Sequence, residues 1–155
     1  MDYIEIPKRQ RTPYLNLLLL ADEDPDKVAA YMNDGRYFVG MIDGQPVVSL
    51  LFTPVDEQTL ELKNLAVIPD MRRKQIATKA LRYFSQYFSR DYATLIVGTG
   101  DADVDNLQFY LRNGFRFDCI RPNFFMDYPE PIYVNEVRLQ DMVVLKRPML
   151  FPQDK

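Results

Sequence analysis

Between residues 72 and 82 the chain carries five cations, Arg72, Arg73, Lys74, Lys79 and Arg82, and no acid. They follow a strand-like run ending at Ile68 and a Pro69-Asp70 break, and they lead into a helical stripe. A strand, loop and helix in this order present unpaired amide N–H groups at the helix start, which suits a phosphate. Cations placed there oppose the helix dipole, a cost that a bound anion removes. A solvated basic face on a surface helix would use the same residues, and the spacing alone leaves both readings open.

The rest of the composition narrows the chemistry. The 155 residues include no histidine, which removes Ser-His-Asp and Cys-His catalysis and histidine metal sites. Acid–base work falls to Asp, Glu, Tyr, Lys, the single cysteine or water. Cys119, with no histidine to activate it, reads as a plain buried thiol rather than a nucleophile. One cysteine also excludes a disulfide framework and gives no zinc spacing, so no metal is expected. The net charge of −3 gives no reason to expect a nucleic-acid partner. The aliphatic run Leu17 to Ala21 is too short to span a membrane, and Met1 to Lys8 carries no leader pattern. These features point to a single cytoplasmic domain over residues 1–155.

Several elements must position the basic segment. Residues 3–8 read as a first strand, Pro13 onward as a helix, and KVAAYM, after the acidic break Asp22 to Asp26, as a second. Residues 36–43 and 46–55 flank an Asp43-Gly44-Gln45 turn, and Thr59 to Ile68 follows, which predicts a three-stranded meander. Ile76, Ala77, Ala80, Leu81, Phe84 and Phe88 form the apolar stripe of a helix over 75–89. Ala93 to Val97 is a short buried strand with Gly98-Thr99-Gly100 at its end. A helix over 104–113 stops at Gly114. Phe115 to Ile120 and Met142 to Leu145 are late strands, joined through the aromatic, proline-rich Pro122 to Pro131. The class is α+β, with a mixed, mostly antiparallel central sheet flanked by helices.

The segment Arg72-Arg73-Lys74-Gln75-Ile76-Ala77 resembles the signature of the GNAT superfamily of N-acyltransferases: Arg or Gln, two residues, Gly, one residue, then Gly or Ala. Leu65-Ala66-Val67 and Pro69-Asp70 match the usual lead-in. Gln75 departs from the pattern, which has glycine there. Glutamine keeps the N–H donor, but its side chain must point away. Tyr110-Leu111-Arg112-Asn113-Gly114-Phe115 matches the family's Tyr-x-Lys-x-Gly-Phe ending, with Arg for Lys. GTG at 98–100, PEPI at 129–132 and DMV at 141–143 look like an uncharacterised bacterial subgroup.

The resemblance implies acetyl-CoA as acyl donor, with no metal. The backbone of Leu65, Ala66 and Val67 would pair with the pantetheine arm, and Arg72, Arg73, Lys74, Gln75, Ile76, Ala77 and Thr78 would hold the pyrophosphate. It also implies a V-shaped opening between strands 59–68 and 93–98, direct transfer of the acetyl group to a primary amine, and pairing into a homodimer in some members. The acceptor would be a small molecule or peptide amine. Tyr110 stands where the family places the acid near the thioester sulfur; a core aromatic would look the same.

For the base, Glu61 is the candidate, since the region Ile96-Val97-Gly98 lacks the glutamate of many relatives. Alternation puts Glu61, Lys63, Leu65 and Val67 on one face and Leu60, Leu62, Asn64 and Ala66 on the other. A surface Glu61–Lys63 pair is the competing reading. Asp101, Asp103 and Asp105 either line the cleft or decorate a helix start. Asn123 to Tyr133 offers an acceptor-side wall, with Asp127 and Glu130 to attract an amine. The alternative function is a non-catalytic acyl-CoA-binding module of the same fold. A glycine-loop nucleotide or methyl-donor enzyme built on Gly98-Thr99-Gly100-Asp101 is disfavoured, because three strands in a meander precede it and no Lys-Ser/Thr follows.

Overall fold

The computed structural model describes residues 1–150; the last five residues of the expected 1–155 domain lie outside the described residues. The chain opens with β1 (Asp2–Ile6), α1 (Leu15–Ala21) and α2 (Pro25–Tyr31). Then come β2 (Arg36–Ile42), β3 (Gln45–Pro54), β4 (Thr59–Val67) and α3 (Ile76–Phe88). After β5 (Thr94–Gly100), α4 (Val104–Arg112) and β6 (Arg116–Arg121), a small hairpin forms from β7 (Tyr133–Val134) and β8 (Val137–Arg138). The last strand is β9 (Met142–Pro148).

Seven strands make one sheet in the order β1-β2-β3-β4-β5-β9-β6, and β4–β5 is its parallel pair. The last strand therefore inserts between β5 and β6. The expected meander is present, and β1 extends it by pairing antiparallel to β2.

Alternation along β3 divides the core. Leu50 and Phe52 pack with α3 and α4, while Leu51 packs with α1 and α2 on the opposite face. The stripe predicted for α3 is the face it buries: Ile76, Ala80, Leu81, Phe84 and Phe88 are all in the core. Phe84 meets Phe38 at 4.6 Å and Phe88 meets Phe52 at 4.9 Å between ring centroids. Aromatic pairs of this kind add about 1 kcal/mol each beyond their buried area. They pin the body of α3 to the sheet and so fix where its N-terminus stands.

Two features depart from the sequence reading. Gly98, Thr99 and Gly100 continue β5 rather than end it. A Cβ at Gly98 would lie 2.3 Å from Met142 Sδ, so a larger residue there would have to push that side chain aside. The same extended geometry removes any nucleotide-binding loop at this position. The second departure is a bulge in β4. Leu51 pairs with Asn64 and Phe52 with Leu62, which leaves Lys63 as the extra residue. Leu60, Leu62, Leu65 and Val67 all contact the α3-side core. The simple alternation proposed for Glu61 to Val67 is thus wrong beyond Leu62, because the bulge exchanges the faces.

Candidate active site at the opening of the sheet

β4 and β5 are in register from Thr59 opposite Thr94 to Leu62 opposite Val97, and no further. Past that point the strands diverge, leaving Lys63–Val67 and Gly98–Gly100 as facing walls of a cleft of about 870 Å³. Unpaired backbone groups on a splayed strand are a template for an added extended chain. The cleft passes through the sheet. Arg72, Arg73, Ala77 and Tyr110 line one side, and Asp22, Tyr31, Phe124 and Tyr128 the other.

At the basic end, the loop reaches α3 through two left-handed residues, Arg73 at φ 62° and Gln75 at φ 60°. Gln75 is the N-cap of α3 and makes no side-chain cap bond. The first helical bond here is Lys79 N to Gln75 O, so the amides before it have no acceptor within the helix. Uncapped amides beside Arg72 and Arg73 fit an anionic pyrophosphate on charge and on donors.

The sequence-derived residues divide by position. Leu65, Ala66, Val67, Arg72, Arg73 and Ala77 line the cleft. Ile76 is a core residue, and Thr78 Oγ1 accepts from Asn113 Nδ2 at 3.5 Å. Lys74 and Gln75 have exposed side chains, so Gln75 has room to offer its backbone. Arg72 Nε donates to Val67 O at 3.0 Å, tying the loop back to β4.

Tyr110 sits on α4 with its ring packed against Phe115 at 5.4 Å, and it also lines the cleft. Burial pushes its phenol well above the ordinary tyrosine value, and the nearby Asp103 adds to the effect. The group is therefore a proton donor at neutral pH.

Glu61 lines the cleft too, with a side chain only 12% exposed, and its carboxylate stands 3.6 Å from Arg121 Nη1. The surface Glu61–Lys63 pair does not form. Lys63 Nζ instead lies 5.3 Å from the centre of the Tyr31 ring.

The opposite wall holds residues the sequence did not single out. Asp22 accepts from the Tyr31 hydroxyl at 3.1 Å and from the Tyr128 hydroxyl at 3.2 Å. Asn64 Nδ2 donates to Leu18 O and to the Tyr31 oxygen, each at 3.0 Å. Asp22 had read only as part of a helix break, and nothing in its neighbourhood signals a partner 106 residues away. The expected wall 123–133 supplies Phe124, Phe125, Tyr128 and Ile132 to the cleft, but neither Asp127 nor Glu130. Asp103 and Asp105 line it, with Asp103 also capping α4 through Asn106 N. Asp101 accepts from the amides of Gln140 and Asp141.

Cys119, expected to be buried, is exposed on the edge strand β6, beside a register shift that lifts this strand from the core pattern. Among the described residues no group of three or more Cys, Asp or Glu is placed to hold a metal ion. Among them, also, no helix is long and apolar enough to cross a membrane.

A model of the acetyltransferase (GNAT) family matches residues 4–115. The chain is 28% identical over 144 residues to the uncharacterized N-acetyltransferase YvbK of Bacillus subtilis, covering 92% of this chain and 93% of that protein. A GNAT family acetyltransferase from Elizabethkingia anophelis, solved with acetyl-CoA bound, superposes with a TM-score of 0.88 at 30% identity. That match covers 95% of this chain and 97% of the other. A Bacillus subtilis acetyltransferase in complex with CoA gives a TM-score of 0.83 at 26% identity, over 96% and 100% of the two chains.

Proposed function

This chain belongs to the GNAT family of acetyltransferases, a solved relative of which holds acetyl-CoA, and on that premise we propose that it acetylates a primary amine by direct transfer. The observation that carries the reading is the end of β4–β5 pairing at Leu62 and Val97. It leaves Glu61 and Tyr110 on the walls of one opening, where a pantetheine arm would lie along Leu65, Ala66 and Val67.

The cosubstrate supplies an acyl group activated as a thioester. Around it the protein's own groups divide the work. The α3 amides, with Arg72 and Arg73, hold the negative end. Lys74, Gln75, Ile76 and Thr78 contribute through backbone N–H groups rather than through side chains in the cleft. Glu61, through a water, takes the proton from the ammonium of the acceptor, which must be neutral to attack. As the new C–N bond forms and the C–S bond breaks, the Tyr110 hydroxyl gives its proton to the departing sulfur, and the second proton shed by the acylated nitrogen restores the phenol. Small amines and peptide N-termini both fit this scheme. The reaction is assigned to the cytoplasm.

The test is release of the CoA thiol on mixing the protein with acetyl-CoA and a panel of amines. Glu61→Gln is expected to lower turnover about 100-fold while leaving acetyl-CoA affinity unchanged. Full turnover in that variant would remove Glu61 as the base.

A further inference from the structure

The acceptor side of the cleft contains two half-buried lysines, Lys27 on α2 and Lys63 at the β4 bulge. Neither has an acid partner: among the described residues the ion pairs are Arg36–Glu5, Arg121–Glu61 and Lys146–Asp118. Each ammonium lies instead over an aromatic ring, Lys27 Nζ at 4.7 Å from the Tyr128 centroid and Lys63 Nζ at 5.3 Å from that of Tyr31.

Two carboxylates on this side are already engaged. Asp22 accepts from both of those tyrosines, and Asp24 caps α2 through the amides of Asp26 and Lys27. The two lysines are thereby held on a shared framework, since the rings beneath them meet through one carboxylate. Neither ammonium spends its N–H donors on a side-chain carboxylate, which leaves them for a ligand's acceptor oxygens.

From this we infer that the acceptor is an amino acid or a close relative, a primary amine that also carries a carboxylate. The inference rests on the acetyltransferase reading of the same cleft. The acceptor's carboxylate lies between Lys27 and Lys63, and its amine points to Glu61 on the same strand. Charge balance favours a singly charged carboxylate over a phosphate. Glu23 and Asp22 also line this side, and a dianion would meet them at a higher electrostatic cost. The uncharged part of the acceptor lies against Phe124 and Tyr128. A zwitterion thus matches the cleft, with cations at one end and an acid at the other.

The experiment compares three acceptors of the same skeleton with the intact protein and saturating acetyl-CoA: an L-amino acid, its carboxamide, and the amine lacking the carboxyl group. A set built on phenylalanine and a set built on alanine cover large and small side chains, and phosphoethanolamine covers the phosphate case. The expected result is a kcat/KM at least about tenfold higher for the acid than for the amide or plain amine. Lys63→Met and Lys27→Met are each expected to erase most of that ratio by raising KM, with acetyl-CoA affinity unchanged. Equal or better use of the plain amine or of phosphoethanolamine overturns the inference while leaving the acetyltransferase reading intact. Failure of every acid in the set, with acetyl-CoA bound, also overturns it. Failure to bind acetyl-CoA at all instead removes the underlying reading.

Discussion

Leu62 on β4 and Val97 on β5 face each other as the last aligned pair of the two parallel strands. The pair lies between the two candidate proton-transfer groups in sequence. Glu61 precedes Leu62 by one residue, and Tyr110 lines the cleft that opens just beyond. The bulge at Lys63 coincides with this point. It turns the β4 backbone away from β5 and, in the same residue, sets a lysine on the acceptor side.

Tyr110→Phe keeps the ring that packs on Phe115 and removes the hydroxyl. Turnover is expected to fall about 100-fold or more, with acetyl-CoA affinity within about twofold and stability nearly unchanged. Steady-state kinetics beside calorimetric affinity separates the two effects. An unchanged kcat would reduce Tyr110 to a core aromatic.

Gln75 occupies a left-handed conformation at φ 60° and ψ 19° with an exposed side chain. A residue with a Cβ there costs about 1 kcal/mol relative to glycine. Gln75→Gly is therefore expected to raise the unfolding free energy by about 1 kcal/mol and to keep or improve acetyl-CoA affinity. Urea denaturation and titration check the two halves. A large loss of affinity would mean that the glutamine side chain itself contacts the cosubstrate.

Asp22 ties the α1–α2 junction to the turn at Phe124–Tyr128 through two tyrosine hydroxyls. Asp22→Ala is expected to cost about 1–3 kcal/mol of stability and to raise the acceptor KM, while the acetyl-CoA dissociation constant stays put. Loss of cosubstrate binding in this variant would show that the two ends of the cleft are not independent.

Alkaline pH supplies a further check. Burial raises the phenols of Tyr31, Tyr37, Tyr110 and Tyr128, with Tyr37 pushed up to about 12. In each case the folded state keeps its proton where the unfolded chain has lost it. The four groups contribute no pH dependence below about pH 10, and stability falls as pH rises past that ordinary tyrosine value. Tyr37 alone accounts for about 2–3 kcal/mol by pH 12. Equilibrium unfolding between pH 8 and 12 is expected to show the decline, and Tyr37→Phe to make it shallower. A stability profile flat to pH 12 would contradict the burial of these rings.

Much of this architecture was legible because it rests on local patterns. The α3 stripe, the Asp43-Gly44 hairpin and the basic loop before Gln75 are written in runs of a few residues, and the structure forms all three. The β4 bulge was not legible. A single extra residue leaves no mark in alternation, since Lys63 looks like any polar position on a half-exposed strand. The β7–β8 hairpin was missed for a related reason. Its turn residues, Asn135 at φ 49° and Glu136 at φ 69°, are both left-handed, yet the second is a glutamate rather than the glycine that announces such turns. Asp22 was hidden by distance. Its role depends on Tyr128 arriving from the far end of the chain, which only the placement of β9 and β6 decides.

The most direct test of the account is a calorimetric titration of the protein with acetyl-CoA, CoA and adenosine 3′,5′-bisphosphate. The first two carry the pantetheine arm and the third does not. Tight binding of acetyl-CoA and CoA, with the bisphosphate weaker by about 100-fold or more, is the predicted result, because the proposed site lays the arm in the opening beyond Leu62 and Val97. Equal binding of all three, or none at millimolar acetyl-CoA, would contradict it.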